Sequence, residues 1–381
     1  MESGNLSEFA QVLAKTPMHP AGAFLPTTVP VWQQLRFLKA GTPAITSAAN
    51  TLASVFARSL SPTASVLPAS LGKGPGSEGH PLRLADYPRP AGDNGRGMHW
   101  VPTLSSTPDV VDRFVQEMVE MKIKWAVVLN GGTDAGRNDY LIKQLVEKGI
   151  MPIMRVYTPD LTPLENENDL AALVRHYRDL GVQYFQLYNE PNLRLENGGS
   201  APDVQRYLDQ WIPAARTVTA AGGLPGFGAL SPGGDVDDLE FFQSALREIK
   251  RRGAKDVLDR AWVSVHNYTG DHPIADTGDG WGFYRYRRYA DLMRQELGRT
   301  LPLIGTEGGT HAGGSISVAR QAEMVRDAYR AMSNVEPYNF AYTYWLIANA
   351  EGGGKDQAFE QHALFQPGRA SPVVDALKEL A

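Results

Sequence analysis

The chain has 381 residues, 43% hydrophobic and 21% charged, the make-up of a globular protein long enough to bury a large core without covalent staples. A formal charge of −5 argues against nucleic-acid phosphates as the main partner, and the lack of cysteine excludes disulfides, thiolate metal sites and cysteine nucleophiles. The acidic start MESGNLSEFA has no basic segment followed by an apolar run, so it does not read as a signal peptide. No stretch reaches the ~18 uninterrupted apolar residues of a membrane span.

Residues 1–95 differ from the rest. Pro, Ala, Ser, Thr and Gly dominate, with short helical patterns near 6–13 and 31–38. This part is expected to be an extension that either packs on the remainder or is partly mobile. Lys73 stands among glycines but lacks the spacing of a phosphate-binding loop.

Residues 96–381 read as a second unit. Short apolar runs alternate with amphipathic helical segments. The runs are GMHWVP from Gly97, IKWAVVLN from Ile123, MPIMRVY from Met151, YFQLYNE from Tyr184, GFGALSP from Gly226, AWVSVHNY from Ala261, LPLIGTE from Leu301 and NFAYTYWL from Asn339. Near-continuous apolar runs mark parallel strands covered on both faces. Between them, Thr107 and Pro108 signal a helix start, with Val111, Phe114, Val115 and Met118 on one face. Leu170, Leu173, Val174, Tyr177 and Leu180 form a second stripe, which Gly181 ends. Val318, Ala322, Val325, Tyr329 and Met332 form another, and a last helix runs over 373–380. Strand–helix alternation repeated eight times predicts an α/β fold, a (β/α)8 TIM barrel with an N-terminal extension. An open doubly wound sheet is the alternative, and the first run lacks the glycine-rich turn such a sheet usually carries. The cluster Arg285, Arg287 and Arg288 is expected on a solvated helix face.

Barrel enzymes carry their chemistry at the C-terminal ends of strands. The fourth run ends in Asn189-Glu190-Pro191 and the seventh in Thr306-Glu307-Gly308, so two glutamates are expected at the barrel mouth. Charged side chains rarely occupy such places without a partner or a role. Glycosidic cleavage needs two carboxyl groups flanking one bond, and their separation decides whether the anomeric configuration is retained or inverted.

These positions resemble those of the retaining glycoside hydrolases of clan A, over about residues 97–381. The Asn189-Glu190 pair, Glu307, the His266-Asn267-Tyr268 segment at the sixth strand end and Trp345 at the eighth carry the resemblance. YNEPN is most like the β-xylosidase and α-iduronidase family, with the cellulase and mannanase family next. The resemblance implies Glu190 as general acid/base, Glu307 as nucleophile, Asn189 on a sugar 2-hydroxyl, Tyr268 orienting Glu307, and His266 beside the pair. It also implies Arg155, ending the third run, as a partner for Glu307. Trp345 and Trp281 are expected to stack on sugar faces, and Trp100, His99 and Asn130 are candidates to line the cleft. Trp125, Trp211 and Trp262 are expected in the core, and the glycine-rich 349–355 stretch is expected to act as a substrate loop.

The expected partner is a carbohydrate, with no metal, cofactor or nucleic acid. A transglycosidase would use the same two glutamates, and a non-catalytic sugar-binding barrel would normally have lost one of them. A metal-dependent barrel hydrolase typically carries His-x-His on its first strand, and none of the eight histidines forms that motif.

Overall fold

A computed structural model describes residues 81–100, 106–158, 161–164, 166–275, 282–349 and 362–380. The helical patterns at 6–13 and 31–38, Lys73, Trp281 and most of the glycine-rich 349–355 stretch lie outside the described residues.

Eight parallel strands close into one barrel in chain order: β1 (Arg96–Trp100), β2 (Trp125–Gly131), β3 (Met151–Tyr157), β4 (Tyr184–Leu187), β5 (Leu224–Leu230), β6 (Trp262–Tyr268), β7 (Leu303–Gly309) and β8 (Asn339–Tyr344). Helices α1 (Pro108–Glu120), α2 (Asp139–Glu147), α3 (Glu167–Asp179), α4 (Val204–Ala220), α5 (Asp238–Arg251), α6 (Tyr286–Leu297) and α7 (Val318–Ala331) follow the first seven strands. A short antiparallel pair, β9 (Phe365–Gln366) and β10 (Arg369–Ala370), precedes α8 (Pro372–Lys378). This is the (β/α)8 barrel that the alternation predicts.

The barrel floor is aromatic. Trp125, Tyr184, Trp262 and Phe340 come from the even-numbered strands, and their rings meet edge-on or tilted with centroids 5.6–6.4 Å apart. Alternate strands filling one layer is the usual packing of such a barrel. Gly226 of β5 makes room for it, because a Cβ there would stand 2.5 Å from the Trp262 ring. Residues 81–95 close this end. Tyr87 packs on Phe340 and donates its hydroxyl to the carbonyl of Ala261 (2.8 Å), and Tyr184 donates to Pro88 (2.6 Å). The bottom of the barrel interior is thus filled with packed rings, and the strands' C-terminal ends carry buried polar side chains.

A second, larger apolar core lies between barrel and helices. Pro108 opens α1, and Val111, Phe114, Val115 and Met118 are buried. Asn166 caps α3 by accepting from the Asp169 N–H, and Gly181 leaves the helix at φ +107°. In α7 the expected stripe holds at Ala322, Val325 and Tyr329, but Val318 is 47% exposed. It is the first residue after the Ser317 cap, before the helix comes down on the strands.

The arginine cluster departs from expectation. Arg285 is buried and donates to Asp238 of α5, which also accepts from Tyr289 (2.6 Å). Arg287 pairs with Glu336 (2.8 Å) and stacks on Tyr284, and Arg288 is exposed. Ion pairing thus draws Arg285 inward, while Arg287, with 42% of its side chain exposed, stays at the surface over the Tyr284 ring.

Candidate active site

Two local breaks in strand alternation shape the mouth of the barrel. Along β4, Tyr184 and Gln186 face inward, and by alternation Tyr188 would follow. Tyr188 instead adopts φ +63° and packs on Tyr207 of α4, with ring centroids 6.2 Å apart. The strand therefore ends at Leu187. Asn189 forms a single bridge to Ala229 of β5, and Glu190, at φ +34°, sits at the mouth. A left-handed backbone costs a non-glycine residue roughly 1–2 kcal/mol, so the surroundings must hold it. They do so through the loop that follows. Asn192 Nδ2 donates to Ser231 (2.7 Å) and Val236 (2.9 Å), and Asn197 Nδ2 donates to Pro191 (2.8 Å) and Leu193 (2.6 Å).

The second break is in β7. Ser264 pairs with Ile304 and Val265 with Gly305, but the next pair is His266 with Glu307. Thr306 is the extra residue of a bulge, with its hydroxyl 2.6 Å from that of Ser264. Thr306 faces inward, so strict alternation would send Glu307 to the helix side. The bulge puts it back on the inner face beside His266.

Five side chains from four strand ends then converge. Arg155 Nη1 of β3 donates to Glu307 Oε1 at 2.5 Å, and Tyr268 Oη of β6 donates to Glu307 Oε2 at 2.8 Å. His266 lies between the two glutamates, with Nδ1 2.9 Å from Glu190 Oε1 and Nε2 3.5 Å from Glu307 Oε1. Arg155, His266, Glu190 and Glu307 are all buried. Burial pushes the Glu307 carboxyl above its usual range. The charges of His266 and Arg155 and the Tyr268 hydrogen bond pull it back, and Glu190 adds to the rise.

The other expected site residues divide. His99 is wholly buried and meets Trp345 edge-on, with ring centroids 4.2 Å apart. Burial, then the charges of Arg155 and His266, hold its imidazole well below the usual range, so it is neutral. Trp345 is likewise buried rather than an open platform. Trp100 points the other way, onto Phe114 of α1, with centroids 6.2 Å apart. It follows the inward His99, and strand alternation turns it to the helix side. Asn130 also faces outward. Its amide donates to Gly132 (2.9 Å) and Asp134 (3.0 Å), and its oxygen accepts from Asn138 (3.0 Å). Neither Trp100 nor Asn130 lines the cleft. Trp281 lies outside the described residues. Trp125, Trp211 and Trp262 are buried in the core as expected.

Three residues that sequence reading passed over belong to this neighbourhood. Glu196 is 4% exposed and accepts from Asn189 Nδ2 at 3.0 Å. Its carboxyl is pushed up to about 8, by burial first and the charge of Glu190 second. The rings of His311 and His362 meet at a tilt with centroids 4.4 Å apart, His362 lying 6.5 Å from the Tyr268 ring. Burial holds His362 down to about 3. No local motif marks any of the three, because each arrives on a loop whose path is set by the fold.

No protein-family model matches the chain, and no curated protein sequence matches it. Solved structures do resemble it. A GH39 β-xylosidase from Caulobacter crescentus is 19% identical over 74% of this chain and 70% of that chain, with a TM-score of 0.51. The GH39 enzyme from Xanthomonas axonopodis pv. citri is 16% identical over 82% and 71%, with a TM-score of 0.53. A GH128 subgroup II endo-β-1,3-glucanase from Pseudomonas viridiflava is 13% identical over 76% and 98%, also with a TM-score of 0.53. At these identities the likeness is one of fold, and the fold shared is the (β/α)8 barrel.

Proposed function

We propose that the protein is a retaining glycoside hydrolase acting on β-linked sugars, with residues 96–381 as its catalytic barrel. The observation that carries this reading is that Glu190 and Glu307, from strand ends across the mouth, touch the two nitrogens of one imidazole. Two carboxyls held that close on a sealed barrel suit attack at a single anomeric carbon.

In the first half-reaction Glu307 attacks the anomeric carbon while Glu190 protonates the departing glycosidic oxygen. The bond to that oxygen breaks, and a glycosyl ester forms on Glu307. In the second half, Glu190, now ionised, takes a proton from water, whose oxygen displaces Glu307. Arg155 and Tyr268 grip one oxygen each of Glu307 and favour its ionised form. His266 fixes Glu190 against it, and Asn189 supplies a polar contact to a sugar hydroxyl. His99 and Trp345 lie at the base of the site. The similarity to barrels named β-xylosidase and endo-β-1,3-glucanase supports a β-linked substrate.

The test is a panel of aryl β-glycosides and β-linked polysaccharides, with the first-formed anomer read by proton NMR. Retained configuration is expected. Glu307→Gln should abolish turnover, and Glu190→Gln should spare activated aryl glycosides relative to those with poor leaving groups. An inverted first product, or a Glu307→Gln variant as active as wild type, overturns the proposal.

A further inference from the structure

Glu196 is a third carboxyl inside the site, and double displacement assigns it no step. It lies in the 3-10 turn Leu195–Asn197 on the loop after Glu190. That turn is pinned, because Asn197 bonds the carbonyls of Pro191 and Leu193 while Arg206 of α4 donates to Asn197 Oδ1 at 2.5 Å. Glu196 is therefore held in place by backbone, not by its own side chain alone.

Its Oε1 accepts from Asn189 Nδ2 at 3.0 Å, and the same nitrogen lies 3.4 Å from Glu190 Oε2. The amide group of Asn189 thus directs its N–H bonds at two carboxyls. Its other end, Oδ1, is buried and accepts no hydrogen bond among the described residues. The contact to Glu190 is long, and without Glu196 it would be the amide's single anchor. An amide so held can turn over and exchange an acceptor for a donor. A buried acceptor without a donor is costly, which marks Oδ1 as waiting for one.

We infer that Glu196 is a positioning residue of this site, acting through Asn189: it keeps the amide nitrogen on the glutamates and presents the carbonyl oxygen to a donor hydroxyl of the bound sugar. The inference rests on the proposed glycosidase reading. The charged groups acting on Glu196 are Glu190 on its own loop, Arg155 from β3 and Glu307 from β7. With its carboxyl pushed up to about 8, Glu196 is protonated at neutral pH and adds no third negative charge there. Above that range it ionises and brings a further negative charge into the site.

The experiment uses the aryl β-glycoside that wild type turns over fastest, with the full chain and the variants Glu196→Leu, Glu196→Gln, Asn189→Ala and Glu196→Leu/Asn189→Ala. Glu196→Leu should lower kcat/KM about tenfold. Glu196→Gln keeps an acceptor for Asn189, so it should recover most of that loss below about pH 7, where the Glu196 carboxyl is itself uncharged. Adding Glu196→Leu to Asn189→Ala should cost little more, since both remove one contact. Independent, multiplying effects of the two substitutions, or a Glu196→Gln variant as poor as Glu196→Leu, overturn the inference. Glu307→Gln separates the two levels: its inactivity beside a Glu196→Leu of wild-type rate removes only the role of Glu196. Infrared difference spectra of wild type minus Glu196→Gln read the same group without turnover. A protonated-carboxyl band that disappears on passing through about pH 8 supports the inference, and its absence at neutral pH overturns it.

Discussion

Arg155 and Glu307 belong to β3 and β7, on opposite sides of the barrel, and meet at 2.5 Å with neither side chain more than 1% exposed. Desolvating two charges costs several kcal/mol per ion, so such a pair is weak evidence for stability. It is better understood as a carboxylate fixed in position by a guanidinium inside a site that excludes water.

Arg155→Met leaves the Glu307 carboxyl buried without its cation. Unfolding in urea near neutral pH should show a loss of ~3–5 kcal/mol. Because Arg155 holds the Glu307 carboxyl down, its removal should also move the acid limb of kcat/KM to higher pH. The loss in stability should shrink at acid pH, where Glu307 is protonated. An unchanged urea midpoint would contradict this account.

Tyr268→Phe removes the donor to Glu307 Oε2 and nothing else. A hydrogen bond to a charged group contributes ~1.5–3 kcal/mol, so kcat/KM should fall roughly ten- to hundredfold. The acid limb should again move upward, since the phenol favours the ionised carboxyl. Steady-state kinetics across pH read both effects, and a wild-type profile would show that the hydroxyl does not act on Glu307.

Gly309 ends β7 at φ +104°, and a Cβ there would stand 2.5 Å from the Tyr344 ring. Gly309→Ala should therefore destabilise by more than ~1–2 kcal/mol, the backbone cost alone. Gly131 ends β2, and a Cβ there would meet no heavy atom within 4 Å, so Gly131→Ala is the control and should unfold near wild type. Equal melting temperatures for the two variants would refute the steric argument.

Asp238 accepts from Arg285 and Tyr289 and contacts none of Glu190, Glu307, His266, Tyr268 and Arg155 among the described hydrogen bonds. Asp238→Ala strands a buried guanidinium and should cost ~3–5 kcal/mol in chemical unfolding. Turnover per folded molecule at low temperature should persist. Loss of activity without loss of stability would point to a role this arrangement does not explain.

Glu196 also links stability to pH. Its folded carboxyl titrates at about 8 against an ordinary 4.5, so between those values the folded state holds a proton that the unfolded state has released. Stability from this group is complete below the lower value and is lost as pH rises toward the higher one. Wild type should therefore lose ground to Glu196→Gln across that window in parallel urea titrations. A constant difference between the two would mean that Glu196 has an ordinary carboxyl.

The amino-acid sequence determined the architecture and the chemistry-bearing residue types. Apolar runs with amphipathic segments between them are local signals, and a closed parallel barrel is the arrangement that covers both faces of every strand. Because barrels expose strand ends at one mouth, Glu190 and Glu307 were also legible, and the resemblance of the strand-end motifs to retaining glycoside hydrolases pointed to His266, Tyr268 and Arg155. Tertiary structure alone decided which way side chains at those ends point. Strand side chains alternate with period two, and one bulged or left-handed residue reverses every assignment beyond it. Thr306 returns Glu307 to the interior and Tyr188 turns aside so that Glu190 reaches the mouth, while simple alternation sends Trp100 and Asn130 outward. Glu196 was invisible for a related reason: a loop glutamate looks solvent-facing in sequence, and only the turn held by Asn197 carries it inside.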